Sequence, residues 1–172
     1  MSDKSASEMG AVPFGVKLAN SQSFSVLFRE GMALVEETAG YLDGPGRQES
    51  KSLERSAALA YATESMRLTT RLMQLASWLL LHRAVNEGEM TLAQANKEKT
   101  KVKLAATDSG DTDMISMLPS TLKDLIDRSF KLQGRVRRLD NTIHADAVPA
   151  FGGNPVERQM SMLKAAFEPN RG

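Results

Sequence analysis

The chain contains no cysteine. Disulfides, thiolate nucleophiles and thiolate-ligated zinc are excluded with it. Aromatic residues are scarce, with one Trp, two Tyr and six Phe in 172 residues. That is too few to lay out the stacking platforms of single-strand nucleic-acid binders. No apolar run approaches the ~20 residues that span a bilayer. The opening MSDKSASEMGAV has no apolar leader core, so a cytoplasmic protein is expected. The only two histidines, His82 and His144, fall on different predicted helices without an HExxH or carboxylate cluster beside them. No catalytic group, metal or cofactor is expected, and the chain reads as a non-enzyme.

What is present is helix. With 41% hydrophobic and 25% charged residues, 172 residues make one ordinary domain large enough to bury a core. The ten Met suit irregular core gaps and adaptable surfaces alike. A run from about 47 to 88, centred on YATESMRLTTRLMQLASWLLLHRA, has no Pro and no interior Gly. One stripe reads Leu68, Leu72, Leu75, Leu79. A second, Leu59, Met66, Met73, Leu80, steps by seven, with Ala62 and Ala76 on its edge. A surface helix needs one such stripe, so two imply a central helix packed on several sides.

The organisation expected is all-α: an antiparallel three-helix bundle with one long central helix and flexible N- and C-terminal segments. Residues 1–21 form an arm. Helices over about 23–42, 47–88 and 119–144 make a bundle within 22–147, and a long polar loop covers 89–118. The first helix carries Phe24, Phe28, Val35 and Leu42, with Leu27, Leu34 and Tyr41 alongside; Gly31 marks a close approach, and DGPG at 43–46 turns the chain. Thr91 is placed to cap a short helix through Lys99 within the loop. From Leu122, the residues Leu125, Ser129, Leu132, Val136, Leu139 and Ile143 step by three and four. That heptad, interrupted only by Ser129, predicts a seam against the long helix. The segment 148–172 is a tail in which Asn154, Pro155 and Glu157 signal a short amphipathic helix over about 155–167.

Three groups are candidates for binding. At 1.5 Å per residue the first helix covers only half of the long one, which leaves Trp78, Leu81 and Val85 as the candidate dimer interface, with ordinary core as the alternative. Arg135 and Arg138 lie in GRVRR, which reads as a solvated face, an acidic-partner site or a nucleic-acid contact. Val156, Met160, Leu163 and Phe167 line one face of the tail helix, the candidate partner-binding segment. Glu64, inside the apolar run, reads as a partly exposed or ion-paired carboxylate, with a catalytic acid as the alternative.

The motifs DGPGR, YATESMRLTTRLMQLASWLL and RVRRLD, spread over roughly residues 22 to 144, resemble the regulator of CtrA degradation (RcdA-like) family of alphaproteobacteria, also known as a domain of unknown function. The resemblance implies a dimeric three-helix bundle without enzymatic activity. It implies an adaptor that helps bring CtrA-type cell-cycle regulators to the ClpXP protease, together with other adaptor proteins, concentrated at a cell pole. The alternative is a helical nucleic-acid-binding regulator acting through the basic face of the third helix.

Overall fold

The computed structural model describes residues 22–101 and 112–147. Every element among them is a helix, as the periodicity requires. The expected arm over 1–21 and the tail over 148–172 lie outside the described residues. Three long helices carry the core, and three short ones that a simple three-helix bundle lacks accompany them.

Helix α1, Gln22–Asp43, buries Phe24, Leu27, Gly31, Leu34, Thr38 and Tyr41 along one face. Gly31 permits close packing, since a Cβ there would fall 2.5 Å from Leu79 Cδ1. DGPG ends α1 as expected, but Pro45 at once opens α2, Pro45–Lys51, its fixed φ suiting a first turn. The unbroken helix expected over 47–88 is therefore divided. Tyr41 Oη donates to Glu49 Oε2 at 2.6 Å, and a Cβ on Gly46 would lie 2.8 Å from the Tyr41 carbonyl oxygen. These contacts hold α2 against the end of α1. The backbone extends at Glu54 (φ −62°, ψ 159°) before α3, Arg55–Asn86, begins. Gly88, at φ 75°, ends α3: its N–H donates to the Val85 carbonyl and that of Glu89 to Ala84, the paired bonds of a glycine-terminated helix.

Helix α4, Leu92–Lys101, occupies part of the expected loop. Thr91 Oγ1 accepts from the Gln94 N–H while Gln94 Oε1 accepts from the Thr91 N–H, a reciprocal cap. A single turn, α5, Thr112–Ser116, precedes α6, Ser120–Ala147. On α6, Leu122, Leu125, Ser129, Leu132, Val136 and Ile143 are buried, so the heptad is the inner face.

Each long helix packs against the other two. Arg135 meets Glu30, and Arg128 meets Glu37, so α6 runs antiparallel to α1. Arg71 meets Ser129, and Trp78 meets Asp140, so α6 runs in the same direction as α3. This corrects the fully antiparallel expectation. Residues 87–119 are long enough to bring the chain back before α6 starts, a return that a short loop would forbid.

The seam and the surface should separate in stability. Leu132, buried between α1 and α3, is expected to cost ~2–5 kcal/mol when changed to Ala. Arg135→Ala removes an exposed pair and is expected to cost under ~1 kcal/mol. Urea melts that ranked the two variants the other way would mean this register is wrong.

Candidate interaction surfaces

Of the two stripes on α3, one is core and one is not. Leu68, Leu72, Leu75 and Leu79 are buried. Leu59, Met66, Met73 and Leu80 stand 65%, 73%, 66% and 53% exposed. Ala62 and Thr69 are exposed between them and Ala76 is half-buried. Together these seven positions step by three and four over about 30 Å, alternating large and small side chains. The hydroxyls of Thr63, Thr69 and Ser77 donate to the Leu59, Ser65 and Met73 carbonyls. Their protons are committed to α3 itself, so the face offers few free donors. Helices α1 and α6 both pack on the opposite side, which is why the expectation of cover on several sides fails here.

Trp78 is 2% exposed, so the line Trp78, Leu81, Val85 is not an open surface; Leu81 and Val85 are half-buried. The indole N–H donates to Asp140 Oδ1 at 2.9 Å. Lys99 on α4 pairs with the other carboxylate oxygen, His144 Nε2 lies 2.9 Å from Asn96 Oδ1, and Ala95 is buried. The polar short helix therefore covers the end of α3 that the length argument left bare.

His82 is buried and stacks on Trp78 with centroids 4.0 Å apart. Its Nδ1 is 3.0 Å from the Trp78 carbonyl oxygen, and its Nε2 has no partner. Burial holds its pKa below the ordinary value, outweighing the Trp78 carbonyl and Asp140; Lys99 and His144 push the same way as burial. Below pH ~6.5 the unfolded chain therefore takes up a proton that the folded chain refuses. Stability is expected to be full above that pH and to fall below it, by up to ~1.4 kcal/mol per pH unit. His82→Phe keeps a ring on Trp78 without a titrating group, and is expected to flatten this part of the acid profile. Equal acid losses in both chains, followed by thermal melts between about pH 7.5 and 5.5, would show that His82 is not the group responsible.

The basic face of α6 is partly neutralised by α1. Arg128 binds Glu37 through both terminal nitrogens, at 2.9 and 2.7 Å, and Arg135 is paired with Glu30. Arg138 is exposed. Glu64 is buried and paired with Arg67 at 2.8 Å, in line with the ion-paired expectation. Sequence reasoning missed Arg71, which is buried in the core, donates to Ser129 Oγ at 2.7 Å and lies 3.7 Å over the Phe130 ring. The signal was Ser129, the one polar residue of the heptad. Between α1 and the end of α3, Phe24, Phe28 and Met32 floor an open groove of about 750 Å³, with Arg83 at its rim.

Among the described residues no group of three or more His, Asp or Glu gathers as for a metal ion, and no helix is long and apolar enough to cross a membrane. The tail residues Val156, Met160, Leu163 and Phe167 lie outside the described residues.

The family described as "Protein of unknown function (DUF1465)" matches residues 15–167. The crystal structure of RcdA from Caulobacter crescentus CB15 is similar at 53% sequence identity and a TM-score of 0.57, covering 72% of this chain and 92% of that one. Comparison with curated proteins finds no match.

Proposed function

This chain belongs to the RcdA-like DUF1465 family, and from that membership we propose that it is a non-enzymatic adaptor. It assists ClpXP in degrading CtrA-type cell-cycle regulators, in the cytoplasm and concentrated at a cell pole. The observation that carries this reading is the uncovered apolar face of α3, four large side chains set in heptad register on a helix otherwise fixed in the core. A continuous exposed apolar patch is the usual mark of a protein contact.

A second copy of the chain is the occupant of that face. Placed antiparallel about a two-fold axis at the level of residue 71, Met66 packs on the partner's Ala76, Met73 on the partner's Thr69 and Leu80 on the partner's Ala62. Large side chains meet small ones in these three layers, as knobs entering holes require, while Leu59 falls opposite the partner's Arg83, a residue that pairs with Glu87 of its own helix. The same register sets Arg55 against the partner's Glu87 at both ends, so charge agrees with shape. The dimer thus replaces the Trp78, Leu81, Val85 line with Leu59, Met66, Met73 and Leu80. Cargo is taken by the tail, through Val156, Met160, Leu163 and Phe167.

The nucleic-acid alternative is weakened, because Glu30 and Glu37 already pair with Arg135 and Arg128 and leave Arg138 as the exposed cation of GRVRR.

A reconstituted ClpXP reaction tests the adaptor reading. The full chain is expected to accelerate degradation of a CtrA-type regulator. The chain without residues 148–172 is expected to melt at the same temperature and to give no acceleration. A rate that the full chain leaves unchanged would sink the adaptor reading.

A further inference from the structure

In a chain without cysteine, methionine thioethers are the sulfur that a peroxide meets. Of the ten Met, Met32 lines the groove and Met160 belongs to the tail segment read above as partner-binding. Met66 and Met73 differ, because they are the two most exposed large hydrophobic residues described and occupy the middle two large positions of the α3 stripe. We propose that Met66 and Met73 are an oxidation site: hydrogen peroxide reaches their thioethers while the two copies are apart and keeps the dimer from re-forming. The proposal rests on the reading above, that a second copy covers this face.

The chemistry balances with peroxide as the only co-reactant. The thioether sulfur attacks one peroxide oxygen, the O–O bond breaks and an S–O bond forms. The second oxygen leaves as water, taking the proton of the transferred oxygen. Sulfur is oxidised, peroxide is reduced, and an apolar side chain becomes a polar one. That new oxygen is a strong acceptor with no donor waiting. In the antiparallel register the Met66 sulfoxide would face the methyl of the partner's Ala76. The Met73 sulfoxide would face the partner's Thr69, whose hydroxyl proton is held by the Ser65 carbonyl of its own helix at 2.9 Å. A buried acceptor without a partner is strongly disfavoured, and the two-fold axis places four such oxygens in one interface. In the separated chain all of them face water, so oxidation acts on association and not on the fold. Reduction of the sulfoxides restores the face, which makes the change reversible.

Full-length protein, analysed by sedimentation at micromolar concentration, tests this in four arms: untreated, treated with hydrogen peroxide, treated and then reduced by methionine sulfoxide reductases, and a Met66→Leu/Met73→Leu variant treated likewise. Peptide mass spectrometry reports which Met are oxidised, and circular dichroism reports the fold. The untreated chain is expected to be dimeric and the oxidised chain at least roughly tenfold weaker in association. The reductases should restore the dimer, and the Leu variant should stay dimeric through treatment. An oxidised chain that remains dimeric, with both sulfoxides verified, overturns the inference and leaves the dimer standing. Dissociation of the treated Leu variant also overturns it, because another Met would then be responsible. An untreated chain that is monomeric removes the dimer reading and this inference with it.

Discussion

Trp78→Ala is expected to destabilise the monomer by ~3–5 kcal/mol, the range for deleting a buried aromatic side chain. The indole is 2% exposed and joins three elements. It packs 6.3 Å from Phe24 on α1 and stacks on His82 within α3. Its N–H donates to Asp140 on α6, the same carboxylate that holds Lys99 of α4. Deletion opens a cavity and also strips a donor from a buried carboxylate, and the two losses act together. Trp78→Phe keeps most of the volume and loses the donor, so it is expected to cost less, ~1–3 kcal/mol. Denaturant unfolding followed by circular dichroism separates the cases. A Trp78→Ala chain within ~1 kcal/mol of the parent would show that the junction is not part of the cooperative core. An intact fold that merely dissociated would restore the surface role the sequence suggested.

Why the sequence pointed to that role is physical. Length and periodicity locate stripes on a helix, but do not say which neighbour covers which stripe. Leu68, Leu72, Leu75 and Leu79 matched the heptad of α6 and the face of α1 in period, so the core was legible residue by residue. Leu59, Met66, Met73 and Leu80 were equally periodic and read as covered. Helices α1 and α6 approach α3 from one side, and periodicity carries no information on direction of approach. The cover over Trp78 was hidden for a different reason. Among its described side chains helix α4 buries only Ala95 fully, with Leu92 partly buried against the core, and it attaches otherwise through Lys99 and Asn96, residues that composition assigns to a solvated loop. Its N-terminal signal, Thr91 with Gln94, was readable; its docking was not. The direction of α6 was illegible too, because a heptad seam fits a parallel or an antiparallel neighbour alike. The division at residues 52–54 separates α3 from a short helix held to the end of α1 by Tyr41 and Glu49, a tertiary contact that local propensity does not encode.

The Met66→Glu/Met73→Glu double variant is expected to be a folded monomer at concentrations where the parent is a dimer. The two positions hold the most exposed large hydrophobic residues described, so in the isolated chain each change is a surface substitution worth within ~0.5 kcal/mol. In the antiparallel dimer the same carboxylates would lie against the partner's Ala76 and Thr69, four anions along one seam with no cation opposite. An uncompensated buried charge costs ~3–5 kcal/mol, and two per subunit exceed what a seam of four large and three small side chains on each helix supplies. The measurement that reads this is the concentration dependence of melting. A dimer linked to folding raises its melting temperature as protein concentration rises, whereas a monomer does not. The parent is expected to show that dependence and the double variant to lose it while keeping its helical signal. Sedimentation showing the variant as dimeric as the parent would mean that the second copy sits elsewhere. If the variant is monomeric and still accelerates ClpXP as the full chain does, the dimer is separable from cargo delivery. If acceleration is lost with the dimer, two tails on one scaffold are needed, because paired weak contacts gain through effective concentration what one cannot supply.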